Sequence, residues 1–177
     1  MGKFGVCPTE IPVVRSMDQC APKFAEKVAN VLVKMKAKGH DPYVFESTRT
    51  QDRVSYLYGF GRRYDDGRGV VTKCASVTDT WHGFGLAVDI ISYSKEWDAP
   101  AQFWADLRVF ATEEGLCSGD DWDRDNVPGE NDPDEHFHDK PHIQWWCTGM
   151  HVRPSAHAAQ LLREQGASAV WQEVHAL

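Results

Sequence analysis

The sequence predicts an α+β fold, in which short strands and helices follow one another without a regular order. Strand-length apolar runs and amphipathic helical stretches are mixed, and they do not show the βαβ alternation that is typical of parallel sheets. At 177 residues the chain is long enough to bury a substantial core and short enough to form one domain. We therefore expect a single domain over residues 1–177.

Helical periodicity marks three segments ahead of the C-terminal tail. Apolar residues recur at helical spacing over residues 22–38, with a proline near the start and a glycine at the stop. Residues 51–60 and 100–115 are the second and third predicted helices. The tail, residues 152–177, is also helical in character, and we expect it to pack on or extend the domain.

Three short segments are predicted to be strands: residues 42–47, 86–92 and 142–146. Residues 61–72 are rich in glycine and charge and predict a loop. The stretch 118–141 contains many Asp, Gly and Pro residues and has no periodic pattern. A long irregular segment inside a compact domain usually has a function, so this region becomes a candidate part of a site.

Composition and charge exclude several classes of protein. The net charge of −7 argues against a nucleic-acid-binding protein, which would show a basic face. No apolar run approaches the roughly 20 residues of a membrane span, and the first residues lack the apolar core of a secretory signal peptide. The five cysteines are odd in number and show no C-x-x-C spacing, which argues against both a disulfide framework and a thiolate zinc site.

Asp89 is an unexpected carboxylate in the middle of an apolar strand, LAVDII. Alternate residues of a strand share a face, so Asp89 lies on the same face as Ala87 and Ile91. A buried carboxylate without a partner costs several kcal/mol or becomes protonated. The sequence therefore predicts a cation beside Asp89, and arginine, lysine and a metal ion all remain open.

Two histidines could join Asp89 in a metal site. His82 lies seven residues earlier, and the glycines between them allow a tight turn and a close backbone approach. His142 opens a later strand, and Asp139 stands three residues before it. Catalytic zinc usually takes three protein ligands and leaves the fourth place open. A carboxylate such as Asp139, held close to the metal without binding it, could act as the general base of a hydrolysis.

Two neighbouring patterns offer other metal sites. His136 and His138 form an H-x-H pair that also suits zinc, although it would leave Asp89 without a partner. Asp121, Asp123 and Asp125 stand at alternate positions of the acidic loop 119–135, as at the start of a Ca²⁺-binding loop. The loop lacks the glycine and the final glutamate of an EF-hand, so a solvated acidic loop is the competing interpretation.

The segment T-W-H-G-F-G-L-A-V-D, residues 80–89, resembles the S-x-H-x-x-G-x-A-x-D motif of the LAS metallopeptidases. Residues 139–142, D-K-P-H, resemble the second motif of that family, E/D-x-x-H, and residues 47–62 resemble its upstream arginine segment. The resemblance covers about residues 25–148 and is nearest to the peptidoglycan-cleaving branch that includes many bacteriophage endolysins. It implies a hedgehog/DD-peptidase-like fold, with a small antiparallel sheet flanked by helices.

The resemblance also implies roles for individual residues. His82, Asp89 and His142 would bind one Zn²⁺, and Asp139 would be the catalytic base. Arg49 would stabilise an oxyanion or bind a substrate carboxylate, and a salt bridge to a nearby carboxylate is its alternative role.

Three positions depart from the family pattern. Thr80 stands in place of the usual serine but keeps the hydroxyl for a substrate contact. Val54 replaces a common glutamine, and the base is an aspartate, one methylene shorter than glutamate.

We therefore expect a zinc peptidase with one Zn²⁺ per chain, a catalytic core at about residues 22–148 and no separate wall-binding domain, and with Ca²⁺ as a second possible ion in the acidic loop. Its expected substrate is the peptidoglycan stem peptide, cleaved between L-alanine and D-glutamate in phage lysis. A D-Ala-D-Ala carboxypeptidase and a non-catalytic zinc-binding module are the alternatives. We expect a monomer, without nucleic acid or membrane insertion, that is made in the cytoplasm and reaches the wall through a holin-type pore.

Overall fold

A computed structural model describes residues 4–122, 124 and 138–177. Within these residues the protein has five α-helices and a four-stranded antiparallel sheet, which confirms the predicted α+β class. The elements in chain order are α1 (Pro22–Ala37), β1 (Pro42–Glu46), α2 (Gln51–Gly59), β2 (Ala87–Ser92), α3 (Ala101–Glu113), β3 (Cys117–Gly119), β4 (Asp139–Gln144), α4 (Ala156–Gln165) and α5 (Ala167–Glu173). Two short 3-10 helices, Val77–Asp79 and Trp81–Phe84, precede β2.

The sheet has the strand order β1-β2-β4-β3, so β2 and β4 lie at its centre. Asp89 of β2 is directly opposite His142 of β4, and Glu46 of β1 is opposite Asp89 on the other side. These three polar residues form a row across three strands. Because directly opposed residues have their Cβ atoms about 5 Å apart, the register alone brings the side chains into contact distance.

The core lies where α1 and α3 pack on each other and on the sheet. Helix α1 begins at a proline, and its buried residues recur every three or four positions: Phe24, Val28, Val31 and Met35. Val88, Ile90 and Ile143 of the central strands join the same cluster. Because side chains alternate along a strand, the intervening residues Asp89 and His142 point to the opposite face of the sheet.

The strands near the irregular segment differ from the sequence prediction. Strand β4 begins at Asp139, three residues before the predicted start, and β3 was not predicted at all. A strand of three residues carries too few positions to show a period. Pro141 lies within β4 opposite a register irregularity, a place where a missing N–H is tolerated.

The helical tail is confirmed, and Gly166 divides it into α4 and α5. The indole Nε1 of Trp171 donates to the carbonyl of Phe84 at 2.6 Å, and that of Trp145 donates to the carbonyl of Val174 at 2.9 Å. The tail therefore supports the short helix Trp81–Phe84 that precedes β2. Among the described residues, none of the helices combines the length and the apolar character that crossing a membrane requires.

Candidate metal centre and active-site cavity

His82, Asp89 and His142 meet at one point on the open face of the sheet, and all three are buried. His82 Nε2 lies 3.2 Å from His142 Nδ1 and 3.4 Å from Asp89 Oδ1. His142 Nδ1 lies 3.3 Å from the same carboxylate oxygen. Three atoms from three separate elements thus form a nearly equilateral triangle.

The size of this triangle fits a tetrahedral metal ion. Nitrogen and oxygen ligands about 2.0–2.1 Å from a tetrahedral zinc lie about 3.3–3.4 Å from one another. The observed separations of 3.2–3.4 Å match that spacing. The two imidazoles and one carboxylate also leave a fourth position for another ligand, as catalytic zinc sites do.

The hydrogen bonds behind the two histidines leave the inward-facing nitrogens free to bind a cation. His82 Nδ1 is 2.6 Å from the carbonyl oxygen of Ser47, and His142 Nε2 is 3.1 Å from Oε1 of Gln144. Because both partners are acceptors, these nitrogens carry the protons of the neutral rings. His82 Nε2 and His142 Nδ1 then present lone pairs to the carboxylate of Asp89. Three acceptors that face one another require a cation between them.

The surrounding charges affect the three groups differently. Burial and then the charge of Arg49 lower the pKa of His82, which favours the neutral ring that metals bind. Burial opposes ionisation of Asp89, but His82 and Arg49 hold its pKa well below the usual range. Burial also opposes a charge on His142, yet the Asp89 carboxylate raises its pKa. A proton on His142 therefore competes with a metal ion for this group of ligands.

The turn that carries His82 depends on Gly85. Gly85 ends the helix Trp81–Phe84 with a φ of 65°, a left-handed conformation that glycine adopts without strain. A Cβ atom there would lie 2.4 Å from the carbonyl oxygen of Gln19. The glycine thus lets the chain turn from His82 into β2 while it stays in contact with the N-terminal segment.

Arg49 lies between two carboxylates. Its Nη2 donates to Oδ2 of Asp89 at 2.6 Å, and its Nε donates to Oε2 of Glu46 at 2.7 Å. Burial works against its charge, but Asp89 and Glu46 raise the pKa of the guanidinium. The salt bridge left open as the alternative role of Arg49 is therefore present. The cation that meets Asp89 on Oδ2 is an arginine, while Oδ1 faces the two histidines.

Asp139 reaches the same face as His142 because the strand pairing is irregular. Gly119 of β3 pairs with Asp139, although Ser118 pairs with Ile143, so the intervening residues bulge out of register. Residues three apart would otherwise lie on opposite faces. A Cβ atom on Gly119 would lie 2.5 Å from the carbonyl oxygen of Asp139 and 3.1 Å from Cβ of His142. Only glycine leaves room for this approach.

A cavity of about 870 Å³ opens above the three grouped side chains. Arg49, Thr80 and Asp139 line it together with the two histidines and Asp89. Thr80 is 8% exposed, so it is largely covered by the rest of the wall. The rest of the wall contains several aromatic and basic side chains, among them Lys73, Trp97, Trp122, Trp146, His151 and Arg153. Val54, in contrast, is buried in α2 and is not part of the lining.

Those members of the competing metal patterns that the structure describes, His138 and Asp121, are not part of this group. His138 is 42% exposed in its side chain and pairs with Asp120 at 3.2 Å. Asp121 is fully buried next to β3. His136, Asp123 and Asp125 lie outside the described residues. Neither the H-x-H zinc site nor the Ca²⁺ loop therefore has structural support here, and both stay predictions.

Sequence reasoning missed the residues that support the site from behind. Ser47 and Gln144 orient the histidines, Glu46 pairs with Arg49, and Gly119 makes room for Asp139. Glu46 gave one usable signal, because it is a charged residue at the end of a predicted strand. The others are ordinary residue types, and their importance depends on contacts between distant parts of the chain.

No protein-family model matches the sequence, and no curated protein matches it either. Solved structures do match. The L-Ala D-Glu endopeptidase ChiX of Serratia marcescens matches at 22% identity and a TM-score of 0.47, covering 78% of this chain and 92% of that chain. The vancomycin-resistance D,D-pentapeptidase VanY, in complex with Zn(II), matches at 15% identity and a TM-score of 0.49, with coverages of 90% and 86%. The LD-carboxypeptidase LdcB matches at 15% identity and a TM-score of 0.46, with coverages of 90% and 72%.

Because the identities are only 15–22% and the TM-scores lie below 0.5, these matches do not assign a function to this chain. Its function is inferred from its own site.

Proposed function

We propose that the protein is a zinc-dependent peptidase that hydrolyses an amide bond in the stem peptide of peptidoglycan. The observation that carries the proposal is the triangle of His82 Nε2, His142 Nδ1 and Asp89 Oδ1, with sides of 3.2–3.4 Å. Its size, its two imidazole nitrogens and one carboxylate oxygen, and its open fourth position fit a catalytic zinc ion better than a structural one.

Zinc, when bound by these residues, lowers the pKa of water to about 7 and polarises the carbonyl that is attacked. Asp139 is the acid–base group of this chain. Burial and then the negative charge of Asp89 raise the pKa of Asp139, which brings it closer to the operating pH of a general base. Asp139 takes a proton from the attacking water and returns it to the leaving amine.

Arg49 serves the reaction in two ways under this proposal. Its Nη2 holds Oδ2 of Asp89, so that Oδ1 stays turned toward the histidines. Among residues 4–122, 124 and 138–177, no hydrogen bond involves Nη1 of Arg49. We assign Nη1 to the negative charge that develops on the substrate carbonyl oxygen, where a preorganised donor stabilises the transition state.

The cavity supports an oligopeptide as the substrate. Its volume of about 870 Å³ is near the upper end of the roughly 300–1,000 Å³ of ligand pockets, enough for several residues on both sides of a bond. Following the resemblance of residues 80–89 and 139–142 to the endolysin branch, we propose the L-alanyl-D-glutamate bond as the scissile one. We further propose that the enzyme acts in phage lysis and reaches the wall through a holin-type pore.

Digestion of purified peptidoglycan tests the proposal. The protein would be used as purified, after removal of metal by a chelator, and after restoration with Zn²⁺, and the new termini would be identified by mass spectrometry. We expect new L-alanine carboxyl termini and D-glutamate amino termini, loss of both after chelation, and recovery with Zn²⁺. The Asp139→Asn variant, loaded with Zn²⁺, is the matched inactive control.

Other products would lead to other conclusions. Release of free D-alanine alone would replace the endopeptidase by a D-Ala-D-Ala carboxypeptidase. A zinc-loaded protein that binds peptidoglycan but releases nothing would be a non-catalytic zinc-binding module, and the proposal would be wrong.

A further inference from the structure

We propose that the N-terminal arm, residues 5–20, is a brace for the metal centre and that Glu46, Ser47 and Arg53 are the positioning residues through which it acts. The inference rests on the proposed function in so far as the site binds zinc. Apart from a single β-bridge at Gly5, this segment forms no helix or strand. It also lines no part of the active-site cavity.

The first connection is a buried chain of alternating charges. Asp89 pairs with Arg49, Arg49 pairs with Glu46, and Oε1 of Glu46 accepts a hydrogen bond from Nε of Arg53 at 2.7 Å. Arg53 is 5% exposed, and its Nη1 donates to the carbonyl oxygen of Ile11 in the arm at 2.8 Å. The chain therefore ends on the backbone of the arm.

The second connection runs through Ser47 to another ligand. The carbonyl of Ser47 accepts the Nδ1 proton of His82 at 2.6 Å, which fixes both the tautomer and the direction of the ring. The N–H of Ser47 donates to the carbonyl of Val14 at 2.7 Å. Its hydroxyl oxygen lies 2.6 Å from the carbonyl oxygen of Ser16 and 3.0 Å from that of Val14, and its one proton donates to the nearer, Ser16. Ser47 is completely buried, so these bonds fix its peptide plane without competition from water.

Asp89 and His82, two of the three grouped side chains, are thus oriented by contacts that end on the arm. The two chains of contacts share no residue. The third, His142, is oriented by Gln144 of its own strand. Buried charged groups are costly when one partner is lost, because the other stays buried without compensation. A site must also hold its ligands to within about 0.5 Å to bind a metal productively. Loosening the arm is therefore expected to affect the metal site as well as the general stability of the fold.

Isosteric variants separate these two effects. In Glu46→Gln the amide can accept from only one of the two guanidinium groups, and in Ser47→Ala the hydroxyl bond to the arm is lost while the carbonyl remains. Asp106→Asn is the control, because it weakens a 2.7 Å pair with His40, in which both side chains are 15% exposed, away from the site. The affinity for Zn²⁺ would be measured by competition with a chromophoric chelator, and the ligand geometry from the absorption spectrum of the Co²⁺-substituted protein.

We expect Glu46→Gln and Ser47→Ala each to weaken Zn²⁺ binding by about tenfold, the lower end of the effect of outer-shell partners, and to change the Co²⁺ spectrum. Asp106→Asn should leave the Zn²⁺ affinity and the Co²⁺ spectrum unchanged, even if its melting temperature falls as much as that of the other two variants. Arg53→Lys should keep more of the affinity than Arg53→Met, because it retains a donor to Glu46 or to the carbonyl of Ile11.

Unchanged zinc affinity and spectrum in Glu46→Gln and Ser47→Ala would overturn the proposal, as would an equal loss of affinity in Asp106→Asn. Both readouts are made without peptidoglycan. A failure of the proposed peptidase activity would therefore appear as a zinc-loaded protein without turnover, whereas a failure of the brace would appear as normal affinity in the arm-linked variants.

Discussion

The two sides of the metal centre are built in different ways. The charge-held side comprises Glu46, Arg49, His82 and Asp89, and ion pairs and hydrogen bonds of 2.6–2.7 Å fix it. The close-packed side comprises Gly119, Asp139 and His142, where backbone and Cβ atoms lie so near to position 119 that a side chain there would collide with them.

This difference predicts how each side responds to mutation. The charge-held side should be sensitive to changes of charge at constant volume, because its groups are buried and mutually paired. The close-packed side should be sensitive to added volume, because tightly packed atoms cannot move apart without strain. Glu46→Gln, described above, changes charge on the charge-held side at constant volume. Four further predictions, from the largest expected effect to the smallest, set the close-packed side and the end of the β1–β2 pair beside it.

Asp139→Asn changes charge on the close-packed side without adding volume. We expect kcat to fall by about 10²–10⁴-fold, the usual contribution of a general base, while fold and zinc content stay normal. Steady-state hydrolysis of a stem-peptide substrate and metal analysis would measure this. Undiminished turnover would show that Asp139 is not the base.

Gly119→Ala adds volume on the same side. Its Cβ atom would lie 2.5 Å from the carbonyl oxygen of Asp139, so Asp139 and His142 must shift. We expect a loss of activity of about 10²-fold from the misplaced groups, and a loss of about 1–3 kcal/mol in the free energy of unfolding.

Gly5→Ala is the control for Gly119→Ala, because a Cβ atom there meets only an ordinary contact at 3.4 Å. Denaturant unfolding and turnover would be measured for both variants. Equal behaviour of the two would contradict the assignment of this side to close packing.

Gln144→Leu removes the hydrogen bond that orients His142 on the close-packed side. We expect Zn²⁺ affinity to fall by about 10–100-fold, because the ring loses the acceptor for its Nε2 proton. Gln144→Glu should retain the affinity, since a carboxylate accepts the same proton and the amide Nε2 of Gln144 is itself buried without a partner among the described residues. A competition titration would decide, and equal affinity of the Leu and Glu variants would contradict the orienting role.

Asp41→Asn probes the far end of the β1–β2 pair, where a carboxylate accepts hydrogen bonds from Ser92 and Ser94. Hydrogen bonds from Ser92 and Ser94 lower the pKa of Asp41 from 3.8 to about 2. The stabilisation is therefore complete above about pH 4 and is lost as the pH falls toward 2. We expect the variant to lose about 1 kcal/mol at pH 7 and less at pH 2.5, as judged by urea unfolding. An equal loss at both pH values would contradict this.

Local features of the fold and the site were predictable from the sequence. Helices α1, α2 and α3 and strands β1 and β2 follow apolar periodicity and lie within two residues of their predicted bounds. The structure also brings together His82, Asp89 and His142, and it places Asp139 and Arg49 in the same cavity. Strand β3 and the early start of β4 were not predictable, because three residues carry no period and a proline argues against a strand.

The identity of the cation beside Asp89 could not be predicted from the sequence. The sequence required a cation and left arginine, lysine and metal open; the structure places Arg49 on Oδ2 and the two imidazoles on Oδ1. The carboxylate thus serves both partners at once. Neither assignment excludes the other, because each carboxylate oxygen faces a different direction.

By itself the sequence determined the helices, the central strand with its buried carboxylate, and the set of side chains able to meet it. These depend on the period and spacing of neighbouring residues, which the chain carries locally. Only the tertiary structure decided the tautomers of His82 and His142, the need for glycine at position 119, and the attachment of the N-terminal arm to two of the three grouped side chains. Each of these depends on atoms brought together from distant parts of the chain, and no local pattern records such contacts.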